Sequence, residues 1–308
     1  MRENILVVGS ADMDLLMPVK SMPAAGTGST ESGKCRYSAG GSGALSAMAI
    51  TALGGSACFV ARVGNDIHGK RLLNLYEENG LDSRYVAIDP RAATGLRVVI
   101  QEANGNRRTI HYPGANANLQ RADVERAMQG AGANAAYLQL GLPAEILLSV
   151  ARAASAGGVP LFLDAAGVRP DTPLHSLGAV EAFIADSAEV EQLTGIPTIG
   201  STSGLKAVIE LGKHVRAKYY LIKMGERGIF YYDGVYHNLE VGGARHPDGV
   251  PLCPSLAAAV FLEYLRNGRD MRAACRFGMA LDALIVKNGS RPSYFPTAEE
   301  VRAVADRR

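Results

Sequence analysis

The sequence predicts an α/β fold with a mostly parallel sheet, covered by helices on both faces, and a small β flap outside that sheet. β-Rich runs alternate with segments that carry apolar residues at three-to-four spacing, a pattern typical of parallel strands joined by helical crossovers. Two further β-rich runs flank an Asn-Gly turn in LRVVIQEANGNRRTIHY, which predicts an antiparallel hairpin. Residues 12–37 are rich in Gly, Pro and Ser and show no helical pattern, so we expect them to join the flap.

The elements follow one another along the whole chain. β-Rich runs at residues 5–8, 58–63, 97–101, 109–112, 136–140, 160–163, 182–184, 219–223 and 229–232 are expected to form strands. Helices are expected in GALSAMAITAL, HGKRLLNLYEENG, LQRADVERAMQG, PAEILLSVARAASAGG, EVEQLTG and TSGLKAVIELGKHVRA, several of which end on glycine. We find no internal repeat or linker in the sequence, so we expect a single domain over residues 1–308.

Composition and charge argue against several classes of function. The 308 residues include 32 Lys and Arg against 30 Asp and Glu, with no basic run longer than a pair such as Arg107–Arg108, so nucleic-acid binding is not predicted. The four cysteines form no C-x-x-C pair, which argues against a zinc site or a disulfide framework and predicts buried thiols: Cys35, Cys58, Cys253 and Cys275. With no apolar run of about 18 residues, we expect a cytoplasmic protein, with no membrane partner, that either carries out small-molecule chemistry or only binds a small molecule.

Two aspartates lie where open α/β sheets bind their ligands. The first strand is followed by GSADMD, which places Asp12 and Asp14 just beyond its carboxyl end. We interpret them as ligand-binding residues; the alternative is that one of them caps or stabilises a turn.

Three glycine-rich turns are also candidates. SAGGSGALSAMA opens a helix and can bring backbone N–H groups close to a polar ligand. In GNDIHG we expect Asp66 to cap a helix. In KMGERG, Gly225 and Gly228 either line a nucleotide phosphate or only form a turn. No Walker A lysine loop occurs in the sequence.

Taken in order, these motifs resemble the ribokinase-like carbohydrate kinases, also called the PfkB family, over nearly the entire chain. The similarity rests on GSADMD, AGGSGALSA, GNDIHG, the hairpin leading to HYPGANANL, then DSAEVEQLTG, KMGERG and NGSRPSYFPTAEEV. It implies a three-layer α/β/α sandwich with a small β lid, formed by about residues 12–38 and 95–113. It also implies a sugar or nucleoside site under the lid, ATP along the sheet edge, and a homodimer through the lid. In this family Mg²⁺ and often K⁺ assist γ-phosphoryl transfer to a hydroxymethyl oxygen.

The substrate half of the family's site is largely retained. Asp14 matches the ligand for the sugar hydroxyls, with Asp12 beside it, and Gly40 and Gly41 match the glycine pair next to the sugar. Two positions depart from the family pattern. Leu45 stands where the family has an asparagine and cannot hydrogen-bond a hydroxyl, and Gly141 stands where ribokinases tend to carry a glutamate.

The phosphate half of the site departs further from the family pattern. The family has D-T-x-G-A-G-D at the position of DGVPLCPSL: a first Asp near the monovalent cation, an anion hole of backbone N–H groups, and a final Asp as general base. Counting back from Asn267–Gly268 aligns Ser255 with the base, and Leu252, Cys253 and Pro254 with the anion hole; counting forward from Asp248 aligns Pro254 with the base. Neither candidate is acidic. We expect Ser255 to be the N-cap of the following helix, with Pro254 just outside it.

The positions that bind metal and nucleotide in the family are only partly retained. Asp186 and Glu189 occupy the family's N-x-x-E positions and keep oxygen ligands for Mg²⁺; the alternative is that they are ordinary acidic residues in a first helical turn. Lys223 replaces the threonine that usually precedes Gly-x-x-Gly, and Lys287 stands near the adenine pocket where a small hydroxyl residue is common. Either lysine would occlude ATP or bind another anion.

The sequence therefore predicts a ribokinase-like protein that binds a small sugar, polyol or nucleoside, with ATP-dependent phosphotransfer impaired or lost, as in a pseudokinase. Two alternatives stay open: an active kinase, using Mg²⁺, ATP and K⁺, whose base is Asp248 or a substrate-activated hydroxyl, and another reaction in the same cleft.

Overall fold

The computed structural model describes residues 3–22, 26, 28–104, 106–240, 242–244, 254–288 and 295–307. Its strands are β1 (Asn4–Val8), β2 (Asp12–Val19), β3 (Arg36–Gly40), β4 (Ser56–Gly64), β5 (Asp82–Asp89), β6 (Gly95–Glu102), β7 (Arg107–Tyr112), β8 (Ala135–Gln139), β9 (Leu161–Asp164), β10 (Ala179–Asp186), β11 (Arg216–Lys223), β12 (Ile229–Tyr232) and β13 (His237–Glu240). Its α-helices are α1 (Ser42–Ala52), α2 (Ile67–Glu78), α3 (Arg121–Gly130), α4 (Ala144–Ala156), α5 (Ser187–Thr194), α6 (Ser201–Leu211), α7 (Pro254–Arg266), α8 (Met271–Lys287) and α9 (Ala298–Ala305).

Nine strands form the central sheet, in the order β13-β12-β11-β10-β9-β8-β1-β4-β5. Among the described residues of this sheet, neighbouring strands are parallel from β11 across β10, β9, β8, β1 and β4 to β5. Strands β12 and β13 at one edge run antiparallel to their neighbours. Because the chain passes from β1 to one side of the sheet and later returns to β8 on the other, a crevice is expected between the carboxyl ends of β1 and β8.

The core lies on both faces of this sheet, because successive side chains of a strand point to opposite faces. Ile5 and Val7 of β1 pack with α1, α2, α7, α8 and α9 on one face, and Leu6 and Val8 pack with α3, α4, α5 and α6 on the other. The predicted mostly parallel sheet between two helical layers is confirmed.

A second sheet contains four strands in the order β3-β2-β6-β7. Strands β6 and β7 form the predicted antiparallel hairpin, with Leu96 opposite Tyr112 and Gln101 opposite Arg107. Strand β2 pairs with β3 in the antiparallel and with β6 in the parallel direction. The role of this sheet as a lid, its predicted bounds, and the single domain over 1–308 stay predictions.

Close backbone contact positions the start of α1 beside the end of β1. A Cβ atom added at Gly9 would lie 2.4 Å from the Cα atom of Gly43, so only glycine allows this approach. Gly41, the N-cap of α1, has φ of 86° and therefore also occupies a conformation that favours glycine. Asp66 is the N-cap of α2 and accepts a hydrogen bond from the Gly69 N–H at 2.8 Å, as predicted.

Two predictions are wrong. Helix α7 begins at Pro254, so Pro254 lies inside the helix and Ser255 is its second residue, not its N-cap. Proline fits the first helical turn, where a missing N–H leaves no intrahelical hydrogen bond unmade. Cys58 and Cys275 are buried as expected, but Cys35 is exposed because it lies in the polar segment before β3.

Candidate active site

The side chain of Gln139 at the end of β8 hydrogen-bonds to the end of β1 and to the start of α1, so it connects the three elements that meet at the crevice. Its Oε1 atom accepts hydrogen bonds from the Ser10 N–H at 2.8 Å, the Ser10 hydroxyl at 3.0 Å and the Gly43 N–H at 3.0 Å. This one amide therefore fixes the end of β1 and the start of α1 against the end of β8. Gly141, two residues on, donates its N–H to the Ala166 carbonyl oxygen at 3.0 Å.

Both predicted ligand-binding aspartates are buried in β2 and point to the same face of the four-stranded sheet. Neither lies in a turn, so the alternative role in a turn is wrong. Asp12 Oδ1 accepts from Asn116 Nδ2 at 2.7 Å and lies 3.4 Å from His111 Nε2. Asp14 accepts two hydrogen bonds from Arg97, one of them from Nε to Oδ1 at 3.1 Å.

The glycine pair and Asp14 are in direct contact. A Cβ atom added at Gly40 would lie 1.9 Å from Asp14 Oδ1, and one added at Gly41 would lie 2.5 Å from the Ser10 carbonyl oxygen. Burial raises the pKa of Asp14 above its usual value, against the opposing effect of the Arg97 guanidinium. The hydrogen bond to Asp12 likewise raises the pKa of His111. The structure thus brings Asp12, Asp14, Gly40 and Gly41 together at the crevice.

Leu45 lies in the first turn of α1, and its N–H donates to the Gly41 carbonyl oxygen at 3.0 Å. Its side chain is buried. At Gly141, an added Cβ atom would lie 3.1 Å from the Ala166 carbonyl oxygen and 3.1 Å from Gln139 Nε2. A larger side chain at Gly141 would therefore have to displace its neighbours.

A buried hydrogen-bonded chain leads from β9 to the start of α7. The Tyr137 hydroxyl donates to Asp164 Oδ2 at 2.5 Å, and Ser46 Oγ lies 3.4 Å from both Tyr137 Oη and the Pro254 carbonyl oxygen. Burial, together with the nearby Asp164 carboxylate, raises the pKa of Tyr137 well above its usual value. Ser255 is fully buried in α7 next to this chain of contacts.

Asp186 and Glu189 form a capping box at the start of α5. Asp186 Oδ1 accepts from the Glu189 N–H at 2.8 Å, and Glu189 Oε2 accepts from the Asp186 N–H at 2.7 Å. Lys223 is buried directly opposite Asp186 in the parallel pairing of β10 and β11. Burial raises the pKa of Glu189 to about 7, against the opposing effect of the Lys223 ammonium.

We expect Glu189→Gln to flatten the pH dependence of the unfolding free energy between pH 4.5 and 7. In that range the native carboxyl, with its pKa of about 7, holds a proton that the unfolded chain, with its usual value of 4.5, has lost. The stability of the native chain therefore falls as pH rises through this window, and glutamine cannot titrate.

Urea unfolding at several pH values measures this slope. Glu191→Gln is the matched control because it removes an exposed carboxylate from the same helix. An unchanged slope in Glu189→Gln, or an equal flattening in both variants, contradicts the expectation.

The KMGERG loop and the end of α8 hold the remaining nucleotide-side candidates. Gly225 and Gly228, with φ of 59° and 106°, form a tight turn in which the Gly228 N–H donates to the Gly225 carbonyl oxygen at 3.0 Å. Lys287 is the exposed last residue of α8. Three predicted residues, Asp248, Leu252 and Cys253, lie outside the described residues. Across the described ranges, we find no group of three or more His, Cys, Asp or Glu side chains arranged to hold a metal ion.

Five residues of this site are additional to the sequence-based candidates: Arg97, His111, Tyr137, Gln139 and Asp164. Asp164 and Gln139 are the last residues of β9 and β8, and the rule that placed Asp12 at a strand end would also have found them. Arg97 and His111 gave a weaker signal, as polar residues within otherwise apolar runs.

Comparison with known proteins decides the family. The model of the pfkB family carbohydrate kinases matches residues 2–247. The chain belongs to the PfkB family of carbohydrate kinases. The match ends immediately before Asp248.

Several PfkB-type kinases are similar over nearly the full length of the chain. Ribokinase from Arabidopsis thaliana is 30% identical over 300 residues, covering 94% of this chain and 78% of that protein. The structure of A. thaliana ribokinase complexed with ribose and ATP superposes with a TM-score of 0.87 at 26% identity and covers 99% of both chains. A nucleoside kinase from Burkholderia thailandensis in complex with inosine shares the fold, with a TM-score of 0.77, 18% identity and 98% of both chains covered.

The similarity confirms the ribokinase-like three-layer fold that the motifs imply. Solved structures of this family contain sugar or nucleoside ligands. Within the part of the chain that the structure describes, no helix is both long and apolar enough to cross a membrane.

Proposed function

We propose that this chain binds a small polyhydroxylated molecule, a sugar, polyol or nucleoside, at the crevice between β1 and β8. We further propose that ATP-dependent transfer of a phosphoryl group to that molecule is impaired or lost. The observation that carries the proposal is the contrast between the two halves of the site. In the substrate half, Asp14 lies in direct contact with Gly40. In the phosphate half, α7 begins at Pro254, which has no N–H to donate.

The substrate half supports binding. Asp14 is a buried carboxylate, and buried carboxylates can accept charge-assisted hydrogen bonds from sugar hydroxyls. Gly40 carries no side chain that would cover Asp14, and the conformation of Gly41 orients the backbone at the start of α1. Gln139 holds these parts in one arrangement.

The phosphate half argues against efficient transfer. Phosphoryl transfer depends on N–H donors and charge placed around the γ-phosphoryl group. Pro254 has no N–H to donate, and Ser255 is a buried alcohol at the position of the family's general base. A neutral hydroxyl is a poor general base near pH 7. The described residues at the start of α7 therefore do not fit a γ-phosphoryl group.

The proposed Mg²⁺ site follows from the carboxylate oxygen atoms at the start of α5. Asp186 and Glu189 supply the oxygen atoms that Mg²⁺ prefers, and they would hold it if ATP binds. In the structure, however, each uses one carboxylate oxygen to cap α5. A proton on Glu189 would compete with the metal near neutral pH, since its pKa is about 7. The proposed K⁺ site depends on Asp248, outside the described residues.

The second candidate function is an active carbohydrate kinase whose base is Asp248. It is favoured by the retained edge of the nucleotide site, where Asp186, Glu189 and the KMGERG turn follow the family order. A cytoplasmic location, expected from the cysteines and from the lack of a long apolar run in the sequence, also stays a prediction.

Thermal unfolding with added ligands tests the proposal. A screen of sugars, polyols and nucleosides, each with and without ATP and Mg²⁺, should find a compound that raises Tm without ATP. A stabilising compound that requires ATP would favour the active kinase. No stabilisation by any member of the panel would contradict the binding proposal.

We also expect the chain to form a homodimer through the four-stranded sheet. Ile110 and Tyr112 of edge strand β7 point to one face and are 65% and 52% exposed. Exposed apolar side chains on an edge strand are a surface that can pair with another chain. Sedimentation velocity at micromolar concentration should show a dimer, and Ile110→Lys should shift it toward monomer. Thr109→Lys adds the same charge on the other face and is the control. A monomeric unmodified chain contradicts this expectation.

A further inference from the structure

One face of the four-stranded sheet carries a row of polar side chains across all four strands. Asp14 of β2 is directly opposite Ser38 of β3 and Arg97 of β6, and Arg97 is directly opposite His111 of β7. Directly opposed residues point to the same face of a sheet. Asp12, two residues before Asp14, points to that face as well. The row therefore places two cationic or protonatable side chains next to the two aspartates of the proposed ligand site.

Arg97 and His111 are the outer members of these pairs. The side chains of Asp12 and Asp14 are only 5% and 12% exposed, whereas those of His111 and Arg97 are 46% and 35% exposed. A ligand that approaches the aspartates from solvent therefore meets Arg97 and His111 first. A ligand bound at the aspartates would therefore be within reach of both side chains.

The pairing of Asp14 with Arg97 limits which ligands bind well. A neutral polyol that displaced Arg97 would leave a buried carboxylate without its cation, which is unfavourable. A guanidinium carries five N–H donors in a planar fork, so it can hold a carboxylate and donate to a second anion. A ligand with an anionic group beside its hydroxyls would thus use Asp14 and Arg97 together.

We propose that Arg97 and His111 are specificity-determining residues that select a polyhydroxylated ligand bearing a carboxylate or phosphate group. The hydroxyls of the ligand donate to Asp14, and its anionic group accepts from Arg97 and His111. This inference rests on the proposed function, because it names the ligand class of the same site.

Calorimetric titration of the full chain with matched pairs of ligands tests the proposal. The carboxylate pairs are D-ribonate with ribitol and D-gluconate with glucitol, and the phosphate pair is ribose 5-phosphate with ribose. The anionic member of at least one pair should bind about 10- to 100-fold more tightly, as expected for a charge-assisted hydrogen bond. The two kinds of pair distinguish a carboxylate from a phosphate. The preference should also decrease when NaCl is raised from about 0.05 to 0.5 M.

Variants assign the preference to Arg97. Arg97→Met should reduce this preference, measured as the ratio of the two affinities within a pair, to about twofold or less, since a charge-assisted hydrogen bond is lost. Arg97→Lys keeps the charge without the planar fork and should retain part of the preference. Arg108→Met is the matched control, because Arg108 is exposed on the opposite face of the same sheet. The salt dependence of the unmodified chain keeps the test valid if Arg97→Met does not fold.

Three outcomes overturn the inference. If neutral compounds bind as tightly as their anionic partners, Arg97 and His111 only neutralise the aspartates, and the proposed function stands without this ligand class. If Arg97→Met and Arg108→Met change the preference equally, the effect is one of net charge. If no compound of either kind binds, the inference fails, and the thermal screen decides the proposed function separately.

Discussion

Asp14→Ala is expected to abolish stabilisation by the polyhydroxylated ligand and to weaken its binding about 10²- to 10⁴-fold. Each hydrogen bond from a ligand hydroxyl to a carboxylate contributes about 1.5–3 kcal/mol to binding. Loss of two such hydrogen bonds corresponds to roughly this decrease in affinity. The substitution also leaves the Arg97 guanidinium without the carboxylate that holds it in place. Isothermal titration with the strongest compound of the screen measures the effect.

Asp82→Ala provides the matched control. Asp82 also pairs with an arginine, Arg84, in a contact of 2.8 Å, but it lies on the edge strand β5 of the central sheet. Its loss should leave ligand affinity unchanged. Asp14→Asn retains the shape of the side chain and separates lost charge from lost packing. A ligand that binds Asp14→Ala as well as the unmodified chain lies at another site.

Restoring the family motif at four positions together is expected to raise ADP formation about 10²- to 10⁴-fold, whereas Ser255→Asp alone is expected to have no effect. A missing general base costs ~10²–10⁴ in rate, and a missing anion-hole donor costs ~10²–10³. The single substitution adds a base but leaves Pro254 in place of a donor. Ser255 is also fully buried, so burial would raise the pKa of a carboxyl group there.

The graft replaces Leu252, Cys253, Pro254 and Ser255 by Gly, Ala, Gly and Asp. We expect it to remain slower than a typical member of the family, because Leu45 and Gly141 lack the polar side chains that the family pattern has at these positions. A displacement of the acceptor by about 1 Å costs ~10²-fold. The same graft with Asn in place of the new Asp is the control, since it restores the donors without the base. Turnover by Ser255→Asp alone, equal to that of the graft, would contradict the proposed obstruction of the anion hole by Pro254.

Much of the fold could be predicted from the sequence, because its strands and helices carry strong periodic patterns. The hairpin of β6 and β7 was predicted from the Asn-Gly turn between two apolar runs. Strand β5 was missed because DSRYVAID at the sheet edge mixes charged and apolar residues. The start of α7 was misplaced because a serine is a good N-cap, but a proline is equally favourable at the first helical position.

Residues of the candidate site could be predicted only where they lie in a recognisable sequence motif. Asp14, Gly40 and Gly41 are close in sequence to recognisable turns, and the structure brings them into contact. The pairing of Asp14 with Arg97 was not predictable, because sequence patterns give neither the order of strands in a sheet nor their register. The contacts of Ser46 with Tyr137 and Pro254 join residues more than 90 positions apart. Such contacts depend on packing of the whole domain.

We propose that this PfkB-family chain binds its ligand without efficient phosphoryl transfer. ADP formation by the unmodified chain, with ATP and Mg²⁺, across the panel of sugars, polyols, nucleosides and their acids tests it most directly. We expect ADP formation no faster than the rate without acceptor, in preparations for which calorimetry detects binding of the acceptor. Robust turnover that is lost in Asp248→Asn would contradict it and identify an active kinase with a displaced base.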